Sequence, residues 1–401
     1  MVTREALKPA PQPRSVTILG STGSVGRNTL DIISRDTAAY SVEALTAQEN
    51  AALLIEQAKA LRPRYVAIGN EAHFQTVKSA LAGTGVEVAA GRAAVIEAAA
   101  RPAEWVMSAI VGAAGLEPTL AAIKRGAVIG LANKETLVSA GAVVMREVTR
   151  CNAIMVPVDS EHSAIFQCLE QNNSEAVEKI ILTASGGPFR QKALAEMAEM
   201  TPEQAVAHPN WSMGAKISVD SATMMNKGLE LIEAHYLFRL PDEQIEILVH
   251  PQSVIHSMVA YRDGSVLAQL GSPDMRTPIA YALGWPKRIA APADRLDFSK
   301  VRQLTFEAPD ETRFPALRIA RETLKAGGGA SSVLNAANEV AVAAFLGRQI
   351  RFTDIAAIAE QVLSELPGGQ IERLDQVLAL DAEARRRATD AVASRRRNTT
   401  D

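Results

Sequence analysis

The sequence predicts an α/β protein: an N-terminal doubly wound parallel sheet, a central α+β unit and a small C-terminal helical bundle. Three observations carry that prediction. Short β-rich apolar runs alternate with helical periodicity from Ser15 to about Val156, as in successive βαβ units. The first run leads directly into a glycine-rich turn, Gly20–Gly26. Beyond residue 310 the pattern is helical throughout, broken only at Gly327-Gly328-Gly329 and Pro367-Gly368-Gly369. At 401 residues the chain exceeds one ordinary core, so several domains are expected.

Composition narrows the class. Apolar residues at 47% and charged residues at 22% describe a globular protein, and a net charge of −3 leaves no electrostatic footprint for nucleic acid. Cys151 and Cys168 have neither metal-ligand spacing nor a disulfide framework, which suits a reducing cytoplasm. No apolar run approaches the roughly 20 residues that span a bilayer, so no membrane partner is expected. Residues 1–14 carry three prolines and no apolar stretch, and read as a flexible arm, not a signal peptide.

Ser15–Leu19 is the first strand. The following Gly20-Ser-Thr-Gly-Ser-Val-Gly26 opens a helix, a context in which backbone N–H groups approach a pyrophosphate at the helix N-terminus. Ser41–Thr46 is the second strand, with a helix from about Asn50 to Leu61 and a third strand at Tyr65–Ile68. No Arg or Lys stands at Ala47–Asn50 to take a ribose 2′-phosphate, and Glu49 there suits NAD. Trp105–Ile110 and Ala127–Leu131 read as buried parallel strands. Asn133-Lys134-Glu135 follows the latter, outside the carboxyl end of a strand where ligands of open α/β sheets sit; a plain helix start capped by Asn133 fits the same residues.

Next, the run Ala153–Val158 delivers Asp159 and Glu161, one residue apart. Continued as a strand, its alternation puts both acids on one face, where a hard divalent cation relieves their repulsion. A solvated strand end is the commoner meaning of an isolated D-x-E. Lys179–Thr183 is a strand ending in the small turn Ala184-Ser-Gly-Gly-Pro188, fit to cradle a phosphate or simply to turn the chain. His208-Pro-Asn-Trp-Ser-Met-Gly214 is a loop with large apolar side chains, read either as a lid or as a loop packed on the core. Asp220–Tyr236 reads as one helix, with Asn226, Lys227 and Glu230 on one side and Leu229, Ile232 and Tyr236 on the other. Glu230 thereby offers a third carboxylate. From Ile245 to Leu270 the pattern is strand-rich: Val254–Tyr261 and Ser265–Leu270 flank Arg262-Asp-Gly264 as a hairpin, and His250 and His256 of this sheet read as structural or interfacial. Glu311–Ala326, Ser331–Leu346, Thr353–Leu363 and Ile371–Ser394 are the expected helices of the bundle, with Arg395–Arg397 as a frayed tail.

Taken together, Gly20–Gly26, Leu131-Ala-Asn-Lys-Glu135, Val158-Asp-Ser-Glu-His162, Ala184–Pro188, His208–Gly214 and Asn226-Lys-Gly-Leu-Glu230 resemble, in order and spacing, the 1-deoxy-D-xylulose 5-phosphate reductoisomerase family. The resemblance covers nearly the whole chain. It implies a flexible arm over 1–14, a dinucleotide-binding Rossmann-type domain over 15–157, a catalytic metal- and substrate-binding domain over 158–290, a linker over 291–310 and a helical domain over 311–401. It further implies a cytoplasmic, dimeric enzyme that rearranges a phosphorylated hydroxyketone with Mg²⁺, Mn²⁺ or Co²⁺ and reduces the product with NADPH. On this chain the metal would fall to Asp159, Glu161 and Glu230. Substrate would meet Lys134, Ser160, Glu161, Ser185, His208, Trp211, Ser221, Asn226, Lys227 and Glu230, with Met213 on the same mobile loop as Trp211. NADPH would meet Thr22, Gly23, Ser24, Val25, Asn50, Asn133, Glu135 and Gly214. Glu161, Lys134, His208 and a metal-bound water are alternatives for proton transfer. At Gln48-Glu49 the chain departs from the family's usual Gly followed by a basic residue. Two other readings stay open on the sequence: a metal-assisted Rossmann reductase for another phosphorylated hydroxyketone, and a nucleotide-sensing binding protein.

Overall fold

A computed structural model describes residues 13–170, 172–209, 211 and 213–398; most of the expected N-terminal arm, together with Asn210 and Ser212 of the expected lid loop, lies outside the described residues. Seven strands form one parallel sheet: β1 Arg14–Leu19, β2 Tyr40–Ala47, β3 Tyr65–Ile68, β4 Glu87–Ala90, β5 Trp105–Ser108, β6 Val128–Leu131 and β7 Ile154–Pro157. Their order is β4-β3-β2-β1-β5-β6-β7, so the winding reverses between β1 and β5. In such sheets the crevice outside the strands' carboxyl ends at that reversal is the ligand site. The central strands are buried on both faces, Trp105, Tyr65 and Ile18 among them, which is why they read as continuous apolar runs. β4 escaped the sequence reading because it is a partly exposed edge strand with a weak Glu-Val-Ala-Ala pattern.

Four more strands, β8 Val177–Ala184, β9 Ile245–Val249, β10 Ile255–Tyr261 and β11 Val266–Leu270, make a second sheet in the order β11-β10-β8-β9. The Arg262–Gly264 hairpin joins β10 to β11, antiparallel as expected. The helices beyond residue 310, Ala316–Ala326, Ala330–Leu346, Asp354–Glu365 and Leu374–Asn398, pack with β8 and the Met225–Phe238 helix in one apolar core.

The helix Arg276–Gly284 returns to the first sheet: Ile279, Ala282 and Leu283 join its core, and the Trp105 indole donates to the Ala282 carbonyl at 3.0 Å. The 291–310 stretch is laid along the second sheet, through a bridge between Glu307 and Val249 and the Gln252–Thr305 hydrogen bond.

Three local expectations need correction. Asp220–Tyr236 is not one helix. It splits into Ala215–Ala222 and Met225–Phe238, because Met224 adopts a left-handed conformation (φ 63°) between them. The expected Glu311–Ala326 helix starts only at Ala316; Asp310 instead turns the preceding segment by accepting from the Thr312 and Arg313 amides. Arg395 is not frayed: it lies within the last helix and reaches Gln361 at 2.9 Å.

Candidate active site

The segments of the first domain each emerge from the carboxyl end of a parallel strand. After β1, the glycine turn has little choice of residue. Gly20 sits at φ 81° and a Cβ on it would lie 2.7 Å from the Ala109 carbonyl, while a Cβ on Gly26 would lie 2.3 Å from the Gly20 carbonyl. The turn ends at Gly23, which precedes the Ser24–Ser34 helix without offering a side-chain cap. The first-turn amides therefore face outward at an exposed helix N-terminus with Thr22, Ser24 and Val25 around them, an arrangement that fits a pyrophosphate. Asn50, after β2, caps the next helix by accepting from Leu53 N at 3.1 Å.

After β6, Asn133 is buried and its side chain is spent within the protein. It donates to the Ile110 and Gly112 carbonyls and accepts from Thr136 N at 2.8 Å. Structural capping and placement in the crevice thus coincide at this residue. Glu135 is buried behind it and pairs with Lys216 at 3.4 Å. Gly214 lies exposed two residues before that lysine.

After β7 the strand expectation fails, and the failure is informative. β7 stops at Pro157, Asp159 is the N-cap of the helix Ser160–Cys168, and Glu161 lies in that helix's first turn with its amide on the Asp159 carboxylate at 3.2 Å. The two acids converge through helix capping, not strand alternation. Ser160 is consequently turned toward the acids and donates to Glu161.

Glu230, fully buried on the Met225–Phe238 helix, completes a set of carboxylate oxygens from Asp159, Glu161 and Glu230 within 4.8 Å of one another. Two lysines are threaded among them. Lys134 Nζ lies 3.0 Å from Asp159 and 3.2 Å from Glu230, and Lys227 Nζ lies 3.0 Å from Glu161 and also bonds Glu230. Asn226 donates to Glu230 and accepts from Lys134 at 2.9 Å. The field is mutual. Burial pushes the Glu230 carboxyl up, and Asp159 and Glu161 push it further than the lysines pull it back. Burial would also raise Asp159, but Lys134, His162 and Lys227 outweigh it and hold the group below the usual carboxylate range. A hard divalent cation suits this donor set: three carboxylates of oxygen type, only partly balanced here by two ammonium groups standing where positive charge is needed.

A second cluster lies on the Ala184–Pro188 turn. Ser185 Oγ accepts from Gly187 N at 3.1 Å and faces His208 Nε2 at 2.9 Å. His208 Nδ1 accepts from Trp211 N at 3.0 Å, so the proton resides on Nε2 and is given to Ser185. Burial lowers the His208 pKa and keeps the ring neutral. Gly187, at φ 68°, lets this turn press against the Ser221 backbone, where a Cβ would lie 2.5 Å from the Ser221 carbonyl. Ser185, His208 and Ser221 thus gather on one side, and Asn226 and Lys227 stand with the carboxylates. Trp211 is half-buried with its ring 6.0 Å from His256, and Met213 is likewise half-buried.

Sequence reasoning missed the layer beneath. His162 and Glu233 are both buried, with Nδ1 3.2 Å from Oε2, and His162 Nε2 donates to the Glu230 carbonyl at 2.9 Å. Their signal was in the spacing: each lies three residues after a carboxylate of the cluster, Asp159 and Glu230, hence one helical turn below it. His256, read as structural or interfacial, lies under Trp211. Burial depresses its pKa to about 4. An unfolded histidine titrates near 6.5, so between those values the unfolded chain binds a proton that the folded chain refuses, and stability falls as pH drops from about 6.5 toward 4. The expected gap at pH 5 is about 2 kcal/mol. Replacing His256 by Gln should flatten the fall in melting temperature between pH 7 and pH 5 relative to the parent; parallel curves would refute it.

A doubly wound sheet with a glycine turn at its switch point, facing a carboxylate–lysine centre, defines a dinucleotide-dependent oxidoreductase with a metal-type site. The particular family follows from comparison with known proteins. Residues 16–141 match the family model for 1-deoxy-D-xylulose 5-phosphate reductoisomerase, residues 155–238 match the model for its C-terminal domain, and residues 270–387 match a further DXP reductoisomerase C-terminal domain. The reductoisomerase of Rhodospirillum centenum is 61% identical over 96% of this chain and 95% of its own, and that of Zymomonas mobilis is 57% identical over 96% and 99%. A solved Zymomonas mobilis reductoisomerase in complex with NADPH superposes with a TM-score of 0.91 at 55% identity, covering 95% of this chain and 99% of that one. A reductoisomerase solved with NADPH, fosmidomycin and magnesium gives 0.89 at 42% identity, covering 95% and 98%. The chain belongs to the 1-deoxy-D-xylulose 5-phosphate reductoisomerase family.

Proposed function

We propose that this protein converts 1-deoxy-D-xylulose 5-phosphate to 2-C-methyl-D-erythritol 4-phosphate with NADPH and a divalent metal, in the methylerythritol phosphate route to isoprenoid precursors. The observation that carries the reading is the convergence of Asp159, Glu161 and Glu230 with Lys134, Asn226 and Lys227 in the crevice that the glycine turn also opens onto. Relatives of the same family have been solved with NADPH and with magnesium, which supports the choice of cofactors.

Asp159, Glu161 and Glu230 would hold the metal, which when bound supplies Lewis-acid polarisation of a carbonyl and a template for adjacent oxygens. Displacement of the Lys134 and Lys227 ammonium groups from these carboxylates frees both for substrate: Lys227, with Asn226, Ser185, Ser221 and His208, grips the phosphate, and Lys134 sits beside the reacting hydroxyl and carbonyl. Ser160 orients that end of the substrate. His208 keeps its Nε2 proton for the phosphate through Ser185, which leaves Glu161 and Lys134 as the groups placed to move protons during the retro-aldol and aldol steps. Trp211 and Met213 exclude water from the fragments. Thr22–Val25 take the pyrophosphate, and Asn50, Asn133, Glu135 and Gly214 border the rest of NADPH, whose nicotinamide delivers hydride.

In this reading residues 15–157 hold the dinucleotide, 158–290 hold metal and substrate, 291–310 link, and 311–401 brace the Met225–Phe238 helix. The Arg276–Gly284 helix, packed on the first sheet, couples the two working domains. A cytoplasmic homodimer is part of the same proposal. Among the described residues no helix is long and apolar enough to cross a membrane, and the exposed β11 edge with Val266 and Leu267 is a surface suited to a second copy.

The test is direct: metal-loaded protein should oxidise NADPH only when 1-deoxy-D-xylulose 5-phosphate and Mg²⁺ or Mn²⁺ are both present. Absence of turnover with the pure, metal-loaded chain refutes the proposal.

A further inference from the structure

The residues at the end of β2 face the adenosine ribose in a doubly wound site, and they distinguish NADPH from NADH. Here that position is occupied by an acid. Glu49 is 63% exposed, and among the described residues its recorded partners are neither lysine nor arginine. Instead the segment after β3 supplies two donors to one carboxylate oxygen: Asn70 Nδ2 at 2.8 Å from Glu49 Oε2, and His73 Nε2 at 3.4 Å from the same atom.

The platform that presents these donors is fixed by the backbone. Asn70 N bonds the Gln48 carbonyl at 2.9 Å and Gly69 N bonds the Ala47 carbonyl at 2.7 Å, so the β2 and β3 exits are laced together. Asn70 Oδ1 is held by Ala72 N at 3.0 Å, which leaves its amide nitrogen aimed at Glu49. Gln48 is folded back over Gly69, where a Cβ would lie 2.0 Å from its Oε1. The β1 exit lies alongside: Ser21 N bonds the Thr46 carbonyl at 2.8 Å and Gly20 N bonds Thr46 Oγ1 at 2.9 Å. The Asn70 hydrogen bond, with the His73 contact, holds the Glu49 carboxyl below its usual range and thus anionic. An anion is therefore seated on two exposed donors beside the glycine turn, where a ribose phosphate would need donors.

We propose that Asn70 and His73 are the 2′-phosphate grip of this NADPH site, and that Glu49 occupies the grip as an internal anion that the cofactor's phosphate displaces. The inference rests on the reading that the glycine turn binds the dinucleotide. Its chemistry explains how an NADPH site works without a basic residue at the end of β2. NADPH must expel Glu49 from its donors, whereas NADH leaves it in place and can donate its 2′-hydroxyl to the same carboxylate. Glu49 thus narrows the preference for NADPH, and Asn70 and His73 create it.

The experiment measures dissociation constants of NADPH and NADH, by fluorescence, for the parent protein and for Glu49→Gln, Asn70→Ala and His73→Ala, with 2′,5′-ADP and 5′-AMP as competing probes. Glu49→Gln should tighten NADPH and 2′,5′-ADP by about tenfold while leaving NADH and 5′-AMP unchanged or weaker. Asn70→Ala and His73→Ala should weaken NADPH and 2′,5′-ADP several-fold more than their unphosphorylated counterparts. Retained NADH binding shows that each variant is folded. An unchanged NADPH-to-NADH ratio across all three variants, or weaker NADPH binding in Glu49→Gln, overturns the proposal. A parent protein that binds neither dinucleotide overturns the functional reading itself, and this inference with it.

Discussion

Replacing Glu230 by Gln is expected to abolish metal-dependent turnover, by on the order of a thousandfold or more, while NADPH binding persists. Glu230 is the common partner of the cluster: it holds Lys134, Lys227 and Asn226 at once and faces both other acids. The amide keeps the shape but removes the one buried charge that both lysines share. A metal held by the remaining two carboxylates loses a ligand and a unit of negative charge, and Lewis-acid stabilisation worth several kcal/mol corresponds to about that factor in rate. Paired assays decide the matter, namely NADPH oxidation with substrate and Mn²⁺, and Mn²⁺ titration of the protein alone. Loss of both with intact NADPH binding is the expected result. Full turnover in the variant would remove Glu230 from the metal site. A nucleotide sensor with no metal chemistry would also keep its NADPH binding in the variant, but its parent would show neither turnover nor Mn²⁺ binding to lose, so the paired assays separate the two classes of protein.

How much of this could be read without coordinates differed by element. Strands β1 to β3 and β5 to β7 announced themselves because strands buried on both faces must be apolar throughout, and the glycine turn because a Cβ at Gly20 or Gly26 collides with backbone. The acids of the site were legible as residues but not as geometry. Period-two alternation gave a same-face argument for Asp159 and Glu161, whereas the chain achieves the convergence by making Asp159 a helix N-cap, a role for which Asp is one of the best residues. The same substitution of helix for strand explains Ser160, which alternation would have turned away from the acids and which capping turns toward them. The break at Met224 carried no signal at all: a methionine with positive φ is a conformation that tertiary packing enforces, not one that sequence advertises. His162 and Glu233 were overlooked because neither belongs to the expected ligand set, although their spacing placed them a turn beneath Asp159 and Glu230. Lys134 and Lys227 were expected at the substrate; their pairing with the carboxylates is a property of three-dimensional charge balance, invisible along the chain.

That balance yields the second large effect. Lys227 is 3% exposed and lies between Glu161 and Glu230, where burial would lower its pKa but the surrounding carboxylates raise it above the ordinary lysine value. Methionine fills the same space without the charge. Glu161 and Glu230 are then left in a buried site with Lys134 as the remaining ammonium group, and removing one partner of a buried ion pair destabilises by about 3–5 kcal/mol. A divalent cation delivers the missing positive charge to the same oxygens. Lys227→Met should therefore melt well below the parent in the presence of chelator, recover most of the difference on addition of Mn²⁺, and bind Mn²⁺ more tightly than the parent, because the parent's metal must displace an ammonium group and the variant's need not. Turnover should still be lost, since the proposed phosphate grip loses its buried cation. Calorimetric melting with and without Mn²⁺, alongside Mn²⁺ titration, reads all of this. A variant whose deficit Mn²⁺ fails to reduce would show that Lys227 is a structural charge alone, and that the carboxylates it neutralises are not where the metal binds.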